Sequence, residues 1–354
     1  MKLHNFSAGP SILPQEVMLQ AAEAVKELDS SKLSLIEISH RSKAFIQIMD
    51  EACALALKLT GLENKGYKAI FLQGGASLQF LMTAYNLLEK KAGYLNTGTW
   101  SNKAMKEAKL FGEVLEIASS KDQNYNYIPK GYDIPTDIDY LHLTTNNTIF
   151  GTQYKDIPQT SVPLVADMSS DIFSRALDYS KFDLFYAGAQ KNMGPAGTTL
   201  VIIKDSLLGK VSRVIPSMLS YQVHIDGESM FNTPPVFAVY TSMLTLRWID
   251  AQGGIAALGE KNAIKATLLY GEIDRNSLFV GFANKEDRSD MNATFNLKDP
   301  NLTAAFDALC EAAGISGLKG HRSVGGYRAS MYNALSIESV ETLVNCMQIL
   351  EEQQ

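Results

Sequence analysis

The chain has 354 residues, 46% of them apolar and 20% charged, which is enough for two domains with substantial cores. A net charge of −6 with no basic extension argues against a nucleic-acid partner, and no apolar run reaches membrane-spanning length. Met1–Asn5 breaks off before any apolar stretch of the signal-peptide kind, and the widely spaced Cys53, Cys310 and Cys346 read as reduced thiols in helices rather than a disulfide or metal framework, so a cytoplasmic protein is expected.

Strand-like and helical patterns alternate from about residue 16 to residue 205, the mark of an α/β domain with a mostly parallel sheet. His40 and Arg41 directly precede a helical pattern, Ala44 to Leu59, at the end where the helix dipole disfavours cations; an anion bound between them would remove the conflict. The strand-like Tyr67–Leu72 runs into Gln73-Gly74-Gly75-Ala76-Ser77 and then a helix through Phe80, Leu81, Ala84 and Leu87. Free N–H groups at such a helix start, together with its dipole, make a phosphate site that needs no cation.

Tyr94–Trp100 is again a strand end entering a helix, from Ser101 to about Leu110, with Trp100 on a loop that leaves its face free for stacking. The apolar run Val162–Ala166 ends on Asp167, which puts a carboxylate at the mouth of the sheet. Asp183–Ala187 and Thr199–Ile203 read as buried strands, so Lys191 sits on the turn between them. Gly188, Gly194 and Gly197 leave room there for something flat, and a partly desolvated lysine deprotonates more easily for Schiff-base chemistry.

Beyond this, Ile255–Tyr270 reads as a long helix leading out of the domain. A polar stretch, Asn284–Asp290, comes next, then a strand Asn292–Leu297 and a helix Leu302–Ala313. A Gly-His-Arg loop, a strand near Tyr327–Met331 and a closing helix from Ile337, N-capped by Ser336, complete a small α+β domain.

Lys191, Asp167, the Gly74–Ser77 turn and Trp100 together suit pyridoxal phosphate (PLP). The lysine would form the Schiff base, and Asp167 would face the pyridine nitrogen, because only the protonated ring takes up the electrons released when a substrate Cα–H bond breaks. His321, Arg322 and Arg328 add cations, and an arginine fork matches a carboxylate in bidentate fashion.

Six blocks in order over nearly the whole chain resemble the phosphoserine aminotransferase family of class V, fold-type I PLP enzymes: Asn5–Pro10, Ile38–Arg41, Gly74–Ser77, Tyr186–Asn192, Met230–Pro235 and Gly320–Ser330. The resemblance implies the PLP-dependent transferase fold of type I, with a large PLP-binding domain over 16–257, a small C-terminal domain over 258–354 and residues 1–15 packed on the latter. It implies Lys191 and Asp167 as catalytic residues, with Ala76, Ser77, Trp100, Thr148 and Gln190 as further cofactor contacts. Asn232 and Thr233 of a neighbouring subunit would complete the phosphate cup of an obligate homodimer with shared sites.

The same resemblance assigns Arg328 to the substrate α-carboxylate, and His40, Arg41, His321 and Arg322 to the substrate phosphate. Some members carry Gly-Arg-Gly where this chain has Ala76-Ser77-Leu78; Ser77 cannot supply that charge, so the remaining cations matter more. The family reaction converts L-glutamate and 3-phosphohydroxypyruvate to 2-oxoglutarate and O-phospho-L-serine by ping-pong transfer in serine biosynthesis. Some members also act on the longer homologue, 4-phosphohydroxy-L-threonine, in vitamin B6 synthesis. An alanine–glyoxylate or serine–pyruvate aminotransferase would share Lys191 and Asp167 but need no His-Arg pairs. A cysteine desulfurase needs a mobile-loop cysteine, whereas Cys310 and Cys346 read as helical, and a PLP-binding carrier without turnover would call for an added partner-binding domain.

Overall fold

Leu141–Thr144, Leu164–Asp167 and Leu184–Gly188 have no exposed residue, as expected of strands covered on both faces. They form the centre of a seven-stranded sheet in a computed structural model that describes residues 3–29 and 31–354. Across it the strands follow the order Tyr67–Leu72, Thr199–Lys204, Leu184–Gly188, Leu164–Asp167, Leu141–Thr144, Lys91–Asn96, Glu113–Ser119. Only Thr199–Lys204 runs against the others. The carboxyl ends of the parallel strands therefore collect on one edge, where ligands bind in sheets of this kind.

The register sorts side chains between two cores. Val165, Leu184 and Tyr186 face the helices Gly75–Leu87 and Thr99–Ala108, whereas Ala166, Phe185 and Leu143 face a core shared with Gln15–Lys26, Lys43–Thr60 and Val236–Ala251. Two helices come before the first strand of this sheet, so strand and helix alternate only from Tyr67 onward.

A separate core gathers Phe6 with residues between Ala266 and Leu350. It lies among the antiparallel strands Phe279–Gly281, Asn292–Leu297 and Tyr327–Ser330 and the helices Gly254–Arg275, Thr303–Ala312 and Ile337–Glu352. His4–Asn5 pairs in parallel with Ile315–Ser316. The Gly254–Arg275 helix runs unbroken across residues 257 and 258, so no loop marks the junction there.

Polar contacts knit the two parts together. Asn146, fully buried, donates to Ser170 Oγ and Asn292 Oδ1 at 2.8 Å each, and Asn292 donates to Ser330 Oγ at 2.9 Å. Within the second part, buried Lys265 donates to the carbonyls of Met331, Tyr332 and Leu335 at 3.0, 2.9 and 3.0 Å. The polar stretch 284–290 is exposed at Asn284, Lys285 and Glu286 but buried at Asp287, Arg288 and Ser289, with Arg288 bidentate on Asp274 and Asp287 accepting from Ile128 N. Cys53, Cys310 and Cys346 are free thiols, each within a helix.

Candidate active site

Loops leaving neighbouring strand ends meet at one cavity, lined by Ala76, Ser77, Trp100, Thr148, Asp167, Gln190 and Lys191. The Lys191 amine donates to Thr148 Oγ1 at 2.8 Å and lies 5.9 Å from the Trp100 ring centroid. Burial pulls its pKa down to about 8, with Asp167 opposing and Arg328 reinforcing the shift. About a tenth of the amine is thus neutral, and nucleophilic, at pH 7, far more than an ordinary lysine offers. Ser11 clamps the turn from the N-terminal segment, its N–H reaching the Gln190 carbonyl at 2.9 Å and its hydroxyl the Lys191 carbonyl.

Asp167 is 4% exposed and accepts from Ser169 N at 2.9 Å. Burial raises its pKa, against the pull of the Ser169 hydrogen bond and the Lys191 charge. A buried carboxylate in this state gains from a cationic partner, which a protonated pyridine nitrogen supplies. In register beside it stands Tyr186, whose hydroxyl pairs with His142 Nε2 at 2.8 Å. Burial holds His142 down to about pKa 3, so a neutral imidazole backs this part of the site.

Gly74 and Gly75 take left-handed φ values of 87° and 66° to start the Gly75–Leu87 helix, and no side chain caps it. A Cβ on Gly74 would come within 2.6 Å of Leu78 Cβ. The first N–H groups of the helix, at Gly75, Ala76 and Ser77, are thereby left for an anion in the cavity. Trp100 Nε1 is buried without an acceptor. A partly neutral amine, a buried carboxylate, an uncapped helix start and an aromatic face on one cavity fit PLP.

Arg328, on the Tyr327–Ser330 strand, reaches the Thr148 carbonyl with Nη1 at 3.5 Å, and burial lowers its pKa. Its Nε is buried and has no hydrogen-bond partner among the described residues. His321 bonds Ser323 Oγ at 2.7 Å within its own loop, and Arg322 is exposed. Burial holds the His321 pKa below its ordinary value, helped by the charges of Arg328, Arg322 and Lys103.

The sequence matches the model of the class-V aminotransferase family over residues 3–343. It is 66% identical over 353 residues to a phosphoserine aminotransferase of Flavobacterium johnsoniae, covering 99% of each chain. The chain belongs to the phosphoserine aminotransferase family. Among solved structures, a phosphoserine aminotransferase studied for radiation damage of its Schiff base is 44% identical with a TM-score of 0.96, covering 100% of this chain and 99% of that one. The enzyme from Bacillus circulans subsp. alkalophilus is 43% identical, also with a TM-score of 0.96, covering 99% of each chain.

Against the features expected of this family, the single chain brings some residues together and leaves others apart. Asn232 borders a different cavity beside Gln73 and Leu78, and the Thr233 carbonyl accepts from Gln73 Nε2 at 2.9 Å. His40 and Arg41 lie in the bend before the Lys43–Thr60 helix, and neither side chain bonds a residue of the Lys191 cavity.

Two local expectations change. Trp100 lies in the first turn of the Thr99–Ala108 helix rather than on a loop, because Ser101 Oγ accepts from the N–H groups of Thr97 and Gly98 and starts the helix early. Gly188, Gly194 and Gly197 do not make room for a ligand: a Cβ there would meet Gln190 Oε1, Ser242 Oγ and Ala238 Cβ, so they allow close packing of the turn itself. The chain order alone does not reveal Ser11, Asn146, Ser169 or Asn292; the Asn5–Pro10 block is the one signal that could have pointed to Ser11, next along the chain.

Proposed function

We propose that the chain is a PLP-dependent phosphoserine aminotransferase that interconverts L-glutamate plus 3-phosphohydroxypyruvate and 2-oxoglutarate plus O-phospho-L-serine. The observation that carries this is the meeting on Thr148 of the Lys191 amine, at 2.8 Å from its hydroxyl, and the Arg328 guanidinium, at 3.5 Å from its carbonyl. A nucleophilic amine and a carboxylate-binding fork thereby flank the place where an amino-acid Cα belongs.

Lys191, Asp167, Ala76, Ser77, Trp100, Thr148 and Gln190 would hold PLP, which when bound supplies a sink for the electron pair released at Cα. Lys191 Nζ then takes the proton from Cα as a general base and returns it as an acid, with Thr148 Oγ1 orienting the amine. Asp167 would face the pyridine nitrogen and favour its protonated form. Arg328 orients the substrate through its α-carboxylate, while His321 and Arg322 hold the side-chain phosphate, so that the Cα–H bond faces the amine.

We infer that Asn232–Thr233 and His40–Arg41 serve the site of a second copy. Two observations support this: they lie apart from Lys191 in their own chain, and exposed apolar residues stand near them in the sequence, Leu33 and Ile36 before His40, Phe231 and Phe237 around Asn232–Thr233. An apolar surface of this kind suits a homodimer interface. We also assign residues 16–257 to a large PLP-binding domain and residues 258–354 to a small C-terminal domain with the N-terminal segment against it; the separate cores, and Phe6 in that of the second, support the division. Cytoplasmic action agrees with the three free thiols. Among the described residues no helix is long and apolar enough to cross a membrane.

The test is a half-reaction in which the holoenzyme is mixed with O-phospho-L-serine and the absorbance of its bound cofactor is followed. Loss of that absorbance with release of a phosphorylated keto acid supports the proposal. No change, while alanine or serine reacts well, would replace it with the unphosphorylated-substrate reading. The longer substrate 4-phosphohydroxy-L-threonine, which presents the same carboxylate and phosphate, belongs in the same assay.

A further inference from the structure

Lys103 follows Trp100 by three residues on the Thr99–Ala108 helix, so the two side chains share a face. Its ammonium sits 4.6 Å from the Trp100 ring centroid, and the same ring lies 5.9 Å from Lys191 Nζ. A cation held against an indole is directed by it, rather than free to sweep through solvent. Lys103 is exposed, and among the described residues it pairs with no carboxylate; nor do His321, Arg322 or Arg328.

The positive charge of Lys103 is felt at His321 together with those of Arg328 and Arg322. Cationic groups from the Thr99–Ala108 helix and from the 321–328 region therefore converge beside the cavity without a protein counter-charge. Like charges repel, so such a gathering is stable where a ligand brings the anion. The N–H groups of the Gly75–Leu87 helix start are taken by the cofactor phosphate in the proposal above, and Ser77 offers only a neutral hydroxyl.

We propose that Lys103 is a substrate-binding residue whose ammonium contacts the side-chain phosphate of the substrate and, together with Arg322, supports the preference for phosphorylated over unphosphorylated amino acids. The inference rests on the phosphoserine reading. A lysine suits the task because its ammonium is a point charge that can meet any oxygen of a phosphate, beside arginines that need a planar fit.

The test compares Lys103→Met and Lys103→Arg with the parent, all as holoenzymes. Half-reaction constants are measured for O-phospho-L-serine and L-serine, and binding of inorganic phosphate is measured by calorimetry. Lys103→Met should lower kcat/KM for phosphoserine by about 10- to 150-fold, the effect of losing one charged hydrogen bond, chiefly through KM. Inorganic phosphate should bind more weakly by a similar factor, L-serine should react as in the parent, and Lys103→Arg should recover most of the loss. Unchanged phosphoserine KM and unchanged phosphate affinity in Lys103→Met would overturn the proposal. So would equal losses with serine and phosphoserine, which would make Lys103 a prop for Trp100. Should the parent not prefer phosphoserine to serine, the phosphoserine reading falls, and Lys103 is then decided by the phosphate affinity alone.

Discussion

At the residue scale, the proposed chemistry turns on Lys191 and the burial that brings its pKa to about 8. In an unfolded chain the same amine titrates at roughly 10.4. Between those values the unfolded chain binds more protons than the folded one, so the cofactor-free protein should gain stability as pH rises from about 8 towards 10. PLP uptake, which needs the neutral amine, should speed up with pH along a curve centred near 8. Rapid mixing of the cofactor-free protein with PLP across this range checks it; a midpoint at the ordinary lysine value would mean that the site does not desolvate the amine. Asp167→Ala should fold and keep some cofactor, yet lose about 10- to 150-fold in half-reaction rate, as expected for removing one charged partner. An unchanged rate would take Asp167 off the ring nitrogen. Lys191, Asp167 and Trp100 were legible in the sequence because rare or charged residues stood at strand ends. Asn146, Asn292 and Ser11 were not, since an uncharged polar residue becomes a network member only when another segment folds against it.

At the scale of elements, the start of the Gly75–Leu87 helix is the part most dependent on backbone conformation. Gly74 at φ 87° can be replaced by alanine only at a cost of roughly 1–2 kcal/mol, with an added clash at Leu78. Gly74→Ala should weaken the affinity for PLP far more than that for pyridoxal, which lacks the phosphate. Equal weakening of the two would show that this helix start does not hold the phosphate. Strand and helix positions in the sheet were readable because burial on both faces leaves apolar runs, as at Leu184–Gly188. The stretch 284–290 carried no packing signal for the converse reason: its second half is buried with its charge paired, Arg288 on Asp274, and the Ser289 N–H meets the Gly151 carbonyl. Charge in the sequence does not distinguish a solvated loop from a buried, paired one.

For the whole molecule, the proposed shared-site dimer accounts for the separation of Asn232–Thr233 from Lys191 within one chain. Neither an Asn232→Ala, Thr233→Ala double variant nor Lys191→Ala should turn over well alone. Once subunits have exchanged, a mixture should regain activity, because each mixed dimer holds one intact site. If exchange is verified by mass and activity stays absent, the sites are not shared. In the sequence only the family resemblance pointed to Asn232 and Thr233 as residues that cross an interface; composition and periodicity do not, since exposed Phe231 and Phe237 look like any apolar residue until the fold leaves them uncovered. The central claim is that this cavity selects a phosphorylated amino acid, and the most direct measurement is the half-reaction of O-phospho-L-serine beside L-serine in the parent, Arg322→Ala and Arg328→Ala. The account predicts that the parent strongly prefers phosphoserine, that Arg322→Ala loses that preference while keeping its rate with serine, and that Arg328→Ala slows both substrates alike. Equal reaction of serine and phosphoserine in the parent, with Arg322→Ala neutral towards both, would contradict it.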